Sequence, residues 1–135
     1  MDSTISTMVT IRVYSAIELS AGTAVCHAPI THRSTECVHV KEAVGERANL
    51  IGITVGKCIR NPLQTKGFFA AVSVMGPTLY DVRGSDGEQT DVQTGASLHV
   101  GNRQLIVLRE VDDDHMALVL VCLLYTSPSP RDVEE

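Results

Sequence analysis

The chain has 135 residues, of which 44% are hydrophobic and 20% charged, and its formal net charge is -5 at pH 7. This length fits one domain, and this balance of residues is typical of a globular protein rather than a disordered one. The sequence has no basic cluster suited to nucleic acid, no apolar run long enough to span a membrane and no basic-then-apolar leader. We therefore expect a soluble protein that binds neither nucleic acid nor membrane.

The first half of the chain reads as short strands separated by glycines and polar turns. Residues 8–14 (MVTIRVY) alternate with period two, which indicates a strand with one apolar face. Gly52 and Gly56 interrupt a later β-branched run, where they indicate a bulge or a close backbone approach. The helical pattern is weak and predicts at most one short helical turn near residues 42–48. Further strands are predicted at residues 22–28, 37–41 and 49–57.

The second half continues the same pattern. Residues 67–76 and 78–82 are predicted as two strands on either side of Gly76-Pro77. Gly101-Asn102 predicts a two-residue hairpin loop between two further strands. Turn signals recur about every 8–12 residues, which is the spacing of a sandwich or a barrel. The sequence therefore predicts an all-β fold, a small single-domain β-barrel or sandwich of the tulip-like kind.

A group of cysteines and histidines is the densest set of metal-ligand types. The spacing fits no standard zinc finger or ribbon, and neighbouring residues on a strand point to opposite faces. We therefore predict buried cysteines and solvent-facing histidines, with no metal and no cofactor. Since none of the four cysteines of the chain forms a CxxC pair, we expect free thiols in a reducing compartment. The weak metal candidates are Cys26, His27, His32, Cys37 and His39.

Two other polar stretches have the residue types of a site. Residues 111–116 (VDDDHM) hold three carboxylates and a histidine, but aspartates suit turns and like charges repel into water, so a solvated turn is favoured. Residues 83–89 (RGSDGEQ) lack the lysine and the following helix of a phosphate-binding loop. No Gly-x-Ser-x-Gly nucleophile elbow is present. The sequence predicts no catalytic residue.

Aromatic residues make up only 4% of the chain, so each one is informative. Phe68 and Phe69 are adjacent on a predicted strand, and one of them must therefore face outwards or lie at an interface. Together with Tyr80 they are the candidate interface residues.

The order of glycines and strands over residues 17–121 resembles a known family. The phrases that carry the resemblance are IELSAGTAV, VHVKEAVGERANLIGITVG, KGFFAAVSVMGPTLYDV and VQTGASLHV. They resemble the small β proteins that decorate tailed-phage capsids, and the similar capsid-binding base of phage head fibres. Residues 29–36 depart from the family by being longer and more polar, and VLREVDDDHM stands where the family often has a Gly-Lys-Ala step.

The resemblance implies a homotrimer that binds the major capsid protein on the virion surface, after synthesis in the host cytoplasm. It implies a cement function, in which many weak symmetric contacts are amplified by multivalency. Two other classes of function stay open. One is a small β-barrel module that binds a carbohydrate or a peptide, which would need exposed aromatic residues for stacking. The other is a metal-dependent enzyme that uses the cysteine and histidine group.

The ends of the chain are predicted to lie outside the domain. Residues 1–8 are expected to form a flexible arm, and residues 9–121 the single β domain. Residues 122–132 (CLLYTSPSPRD) bring Ser-Pro repeats that no core can use, and under one codon choice they resemble the translation of a transposase-type sequencing adapter. We therefore expect residues 122–135 to be an artefactual tail on a fragment assembled from environmental DNA, with the true C-terminus beyond Val121 lost.

Overall fold

The computed structural model describes residues 8–29, 38–45, 48–60, 67–83, 92–110 and 114–121. Eight β-strands and no helix occur in these residues, which confirms the all-β prediction. Within the same ranges, no helix is long and apolar enough to cross a membrane. The strands are β1 (Val9–Ser15), β2 (Ala24–His27), β3 (Val38–Glu42), β4 (Leu50–Arg60), β5 (Phe68–Asp81), β6 (Ser97–Val100), β7 (Arg103–Arg109) and β8 (Met116–Val121).

Five of the strands close into a small barrel. Their order is β1-β3-β2-β4-β5, and β1 also pairs with β5, which joins the two ends of the sheet. The pairing of β1 with β3 is parallel, whereas the other pairings are antiparallel. From β5 the sheet continues through β8 and β7 to β6, so that an antiparallel extension stands beside the barrel. Closure leaves the five barrel strands paired on both sides over part of their length.

Strand β5 runs without interruption through Gly76-Pro77, and the prediction of two separate strands there is wrong. Its first part pairs with β1 and β4, and from Gly76 onward it pairs with β8. Proline lacks the N–H that a strand with two neighbours needs. Pro77 is accommodated because β5 has changed partners at that point and pairs with β8 alone among the described strands.

Two aliphatic cores fill the fold, one on each face of the β2 strand. Val25 belongs to the first core, inside the barrel, while Cys26 belongs to the second, which packs the extension against β2 and β4. Adjacent residues reach different cores because successive side chains on a strand point to opposite faces. The most deeply buried residues of the first core are Val13, Val25, Val40 and Val72, and those of the second include Ile53, Val107, Ala117 and Val119.

The predicted two-residue hairpin is confirmed, and it joins the extension to the barrel. Val100 pairs with Arg103 across the turn. The Asn102 side chain accepts a hydrogen bond from the Leu50 N–H at 3.0 Å and donates one to the Asn49 side-chain oxygen at 2.9 Å. Nearby, the described residues 43–45 and 48 form a bend rather than the predicted helical turn, while residues 46–47 lie outside the described part of the chain.

A bulge in β4 changes its register with β5. Val55 pairs with Ala71 and Ile59 pairs with Phe69, so four steps along β4 match two along β5. Gly56, with φ of 75°, adopts a backbone conformation that favours glycine. The bulge directs Cys58 towards Leu19, whose carbonyl accepts a hydrogen bond from the thiol at 3.1 Å. The bulge therefore fixes the segment that leads into β2.

Candidate interaction surface

The cysteine and histidine residues that the structure describes do not converge. Cys26 lies in the second core, where its thiol is 4.0 Å from the Glu42 carbonyl oxygen, and His27 on the same strand is exposed. His39 is buried, with 3% of its surface accessible. No group of three or more metal-ligand side chains forms among the described residues. His32 and Cys37 lie outside them.

His39 is held in an aromatic cluster that sequence reasoning missed. Its ring centroid is 4.7 Å from that of Tyr14, and Tyr14 meets Phe69 edge-on at 6.1 Å. The Nε2 atom of His39 is buried without a hydrogen-bond partner among the described residues. The prediction of solvent-facing histidines is therefore wrong for His39, because both His39 and the adjacent Val40, which point to opposite faces of β3, are buried. The arrangement is a packing contact between rings and holds β1, β3 and β5 together.

The predicted interface aromatics occupy two different environments. Phe68 and Phe69 are both half-buried, and each carries a cation over its ring. The guanidinium carbon of Arg12 is 4.3 Å from the Phe69 centroid, and that of Arg60 is 5.3 Å from the Phe68 centroid. Tyr80 is buried in the second core of its own chain, so its position gives no support to a role at an interface.

A group of exposed apolar side chains lies on the extension, on the side turned away from the second core. Leu79 of β5 pairs with Leu118 of β8, and Leu120 of β8 pairs with Ile106 of β7. Leu108 follows Ile106 on the same side of β7, since the intervening Val107 is buried in the core. We call these five residues, Leu79, Ile106, Leu108, Leu118 and Leu120, the aliphatic face.

The aliphatic face is partly exposed to solvent. Leu79, Ile106, Leu108 and Leu120 expose between 36% and 48% of their surface, and Leu118 is half-buried. Exposed apolar patches on a protein surface often mark sites of association. The signal for it was present in the sequence, because residues 117–121 (ALVLV) are apolar without alternation, as in strands covered on both sides.

An ion pair closes the polar end of β5. The Asp81 carboxylate accepts hydrogen bonds from Arg83 at three points, its backbone N–H at 2.9 Å, Nε at 3.1 Å and Nη2 at 2.9 Å. These bonds hold the pKa of Asp81 below its ordinary value of 3.8, against a smaller opposing effect of burial. The pair borders a polar depression of about 340 Å³. The Asp81–Arg83 ion pair fixes the turn after β5.

Asp81→Asn should remove part of the acid sensitivity of the fold. A lowered carboxyl pKa contributes stability that is present above the unfolded value of 3.8 and is lost as pH falls through the folded value. The free energy of unfolding of the wild type should therefore exceed that of the variant at neutral pH, and the difference should shrink below about pH 4. Urea denaturation across this range measures it. Glu18→Gln is the control, and a pH-independent difference for Asp81→Asn would contradict the assignment.

Comparison of the chain with protein-family models, with curated proteins and with solved structures finds no match. The resemblance to capsid decoration proteins therefore stays a prediction from the sequence.

Proposed function

We propose that this chain is a structural protein of a tailed-phage virion, which decorates or cements the capsid surface as an oligomer. The observation that supports the proposal is the aliphatic face, a five-residue apolar surface on three neighbouring strands. A surface of this kind gains stability only when another surface excludes water from it. The resemblance of residues 17–121 to capsid decoration proteins supports the choice of the capsid as the final partner.

A second copy of the chain is the occupant that fits the aliphatic face. None of its five members carries a charge or a hydrogen-bonding side chain, so one copy of the face complements another without burying an unpaired polar group. Three copies around a threefold axis would each turn the extension inwards and leave the barrels outside. The resemblance implies a homotrimer, and closed symmetry limits such an assembly to a defined size.

Charged substitutions on the aliphatic face should abolish the oligomer. We expect the wild-type protein to have the mass of a trimer by light scattering coupled to size-exclusion chromatography, and the Ile106→Asp/Leu120→Asp variant to have the mass of a monomer. Ile106 is 48% exposed and Leu120 36% exposed in one chain, and neither belongs to a core, so the variant should keep the wild-type circular dichroism spectrum. A burial cost of several kcal/mol for each unpaired carboxylate drives the effect.

Ile17→Asp is the matched control for the oligomer. Ile17 is 58% exposed but lies in the segment before β2, away from the aliphatic face, and the variant should stay trimeric. A monomeric wild type would overturn the proposal for the face.

The capsid as partner is tested by the genes that flank this reading frame, where we expect a major capsid protein gene. A metabolic operon at that place would contradict the virion function.

A further inference from the structure

A groove crosses the outer surface of the barrel where β5 lies between β1 and β4. Arg12, Ala71 and Val55 form one row across the three strands, and Tyr14, Phe69 and Ile59 form the next. The small side chain of Ala71 stands between longer neighbours, and this leaves an open depression of about 680 Å³. We call it the cationic groove, and its principal residues are Arg12, Val55, Lys57, Ile59, Phe69 and Ala71.

The charge of the groove is opposite to that of the chain. Arg12 stands on the β1 side and Lys57 on the β4 side, and both are exposed. Of the residues that the structure describes, no aspartate or glutamate lines the groove, although the chain as a whole carries a net charge of -5. Neither cation has a carboxylate partner among the described residues. Two unneutralised cations on either side of an apolar floor fit a ligand that has apolar and anionic groups together.

The backbone beside the groove favours an extended ligand. Residues 56–58 of the β4 bulge have no partner in the register with β5. Gly56 and Lys57 are exposed there, next to the depression. Main-chain groups outside a ladder can pair with an added extended segment, while side-chain depressions beside them select its residues.

We propose that the cationic groove binds an extended acidic segment of a partner protein. One apolar side chain of the segment is seated over Ala71, between Val55 and Ile59, and carboxylates on either side of it contact Arg12 and Lys57. This inference goes beyond the proposed function, because the groove and the aliphatic face share no residue, although Val55 of the groove lines a further depression together with Leu79 and Leu118 of the face. The two proposals are measured separately, one by the mass of the oligomer and the other by peptide binding.

The test uses a short fluorescent peptide that repeats Asp-Ser-Leu-Ser, called the Asp-Leu peptide, in which Asp and Leu lie on the same face of an extended chain. Its binding to the full chain is measured by fluorescence anisotropy. In the control peptides Lys replaces Asp (the Lys-Leu peptide), or Ser replaces Leu. We expect the Asp-Leu peptide to bind more tightly than either control and to lose affinity as salt is raised. Arg12→Gln/Lys57→Gln should weaken binding about tenfold or more, since two charge-assisted contacts are lost. Lys41→Gln, an exposed cation on β3, should leave it unchanged.

Filling the depression should block the peptide without changing the charge of the groove. Ala71→Leu is expected to reduce binding about tenfold while keeping the circular dichroism spectrum of the wild type. If that variant fails to fold, Ile59→Asp serves instead, because Ile59 is 68% exposed and its replacement places a repelling carboxylate in the groove.

Four results would overturn the inference. The first is equal binding of the Asp-Leu and Lys-Leu peptides, and the second is no binding of the Asp-Leu peptide by the wild type. The third is full binding by a folded variant with the groove filled or with Ile59→Asp. The fourth is binding of phosphatidylserine vesicles or of a single-stranded oligonucleotide in place of the peptide. The last result would identify the groove as a site for a phosphate-bearing surface.

Discussion

Replacement of Gly52 by alanine is expected to lower the free energy of unfolding by about 3 kcal/mol. Gly52 is buried on β4 opposite Val25, and its φ is not positive, so the need for glycine is one of space alone. A β-carbon added there would collide with the Ser73 carbonyl oxygen and would lie 2.6 Å from the Val72 side chain. The collision is with backbone inside a closed barrel, where no side-chain rotation relieves it. Urea denaturation monitored by circular dichroism measures the loss.

Gly95→Ala is the control that separates space from backbone conformation. Gly95 has a φ of 87°, and an added β-carbon would have no neighbour within 4 Å. The cost there is conformational only, about 1–2 kcal/mol. A larger loss for Gly95→Ala than for Gly52→Ala would show that β4 and β5 do not approach each other as closely as the fold requires.

Tyr14→Ala should cost about 3–5 kcal/mol, the range for removing a buried aromatic side chain. Tyr14 is 1% exposed and contacts the rings of His39 and Phe69. Gly67 lies directly against the tyrosine ring, so the ring also packs on the start of β5. Its removal would leave a cavity bordered by three strands that close the barrel.

Tyr14→Phe is the matched variant, because it keeps the ring and removes only the hydroxyl. We expect it to retain most of the stability, with a loss near 1 kcal/mol. Thermal unfolding of both variants, each compared with the wild type, separates the packing of the ring from the contribution of the hydroxyl. Equal losses for the two variants would contradict the importance of ring packing.

Local patterns in the sequence predicted the strands well because each depends on neighbouring residues. Period-two alternation identified β1, and the Gly-Asn pair identified the turn between β6 and β7. The continuity of β5 was missed, because Gly76-Pro77 is a turn signal unless the strand changes partners at that point. That change depends on pairing with β8, which lies about forty residues further along the chain. No local pattern contains information about such a distant pairing.

The candidate sites depended still more on distant contacts. The pairing of β1 with β5, which brings Tyr14 next to Phe69 and Arg12 next to Ala71, closes the barrel and creates the groove. Nothing around residue 12 or residue 71 indicates this proximity. The aliphatic residues of the face are visible in the composition of the last strands. The few aromatic residues of the chain are the more conspicuous interface signal, and they indicated Phe68, Phe69 and Tyr80 instead.

Strand β5 gives the two surfaces a constant geometric relation. Phe69 and Ala71 of the cationic groove and Leu79 of the aliphatic face belong to the same unbroken strand. No linker or hinge separates them within this strand. If the chain forms a symmetric oligomer and binds an acidic segment as proposed, the orientation of the subunit about the symmetry axis would set the direction from which the segment approaches. A trimer built through the aliphatic face would thus present three grooves at equal angles and equal heights, a spacing that only a partner of matching periodicity could occupy all at once.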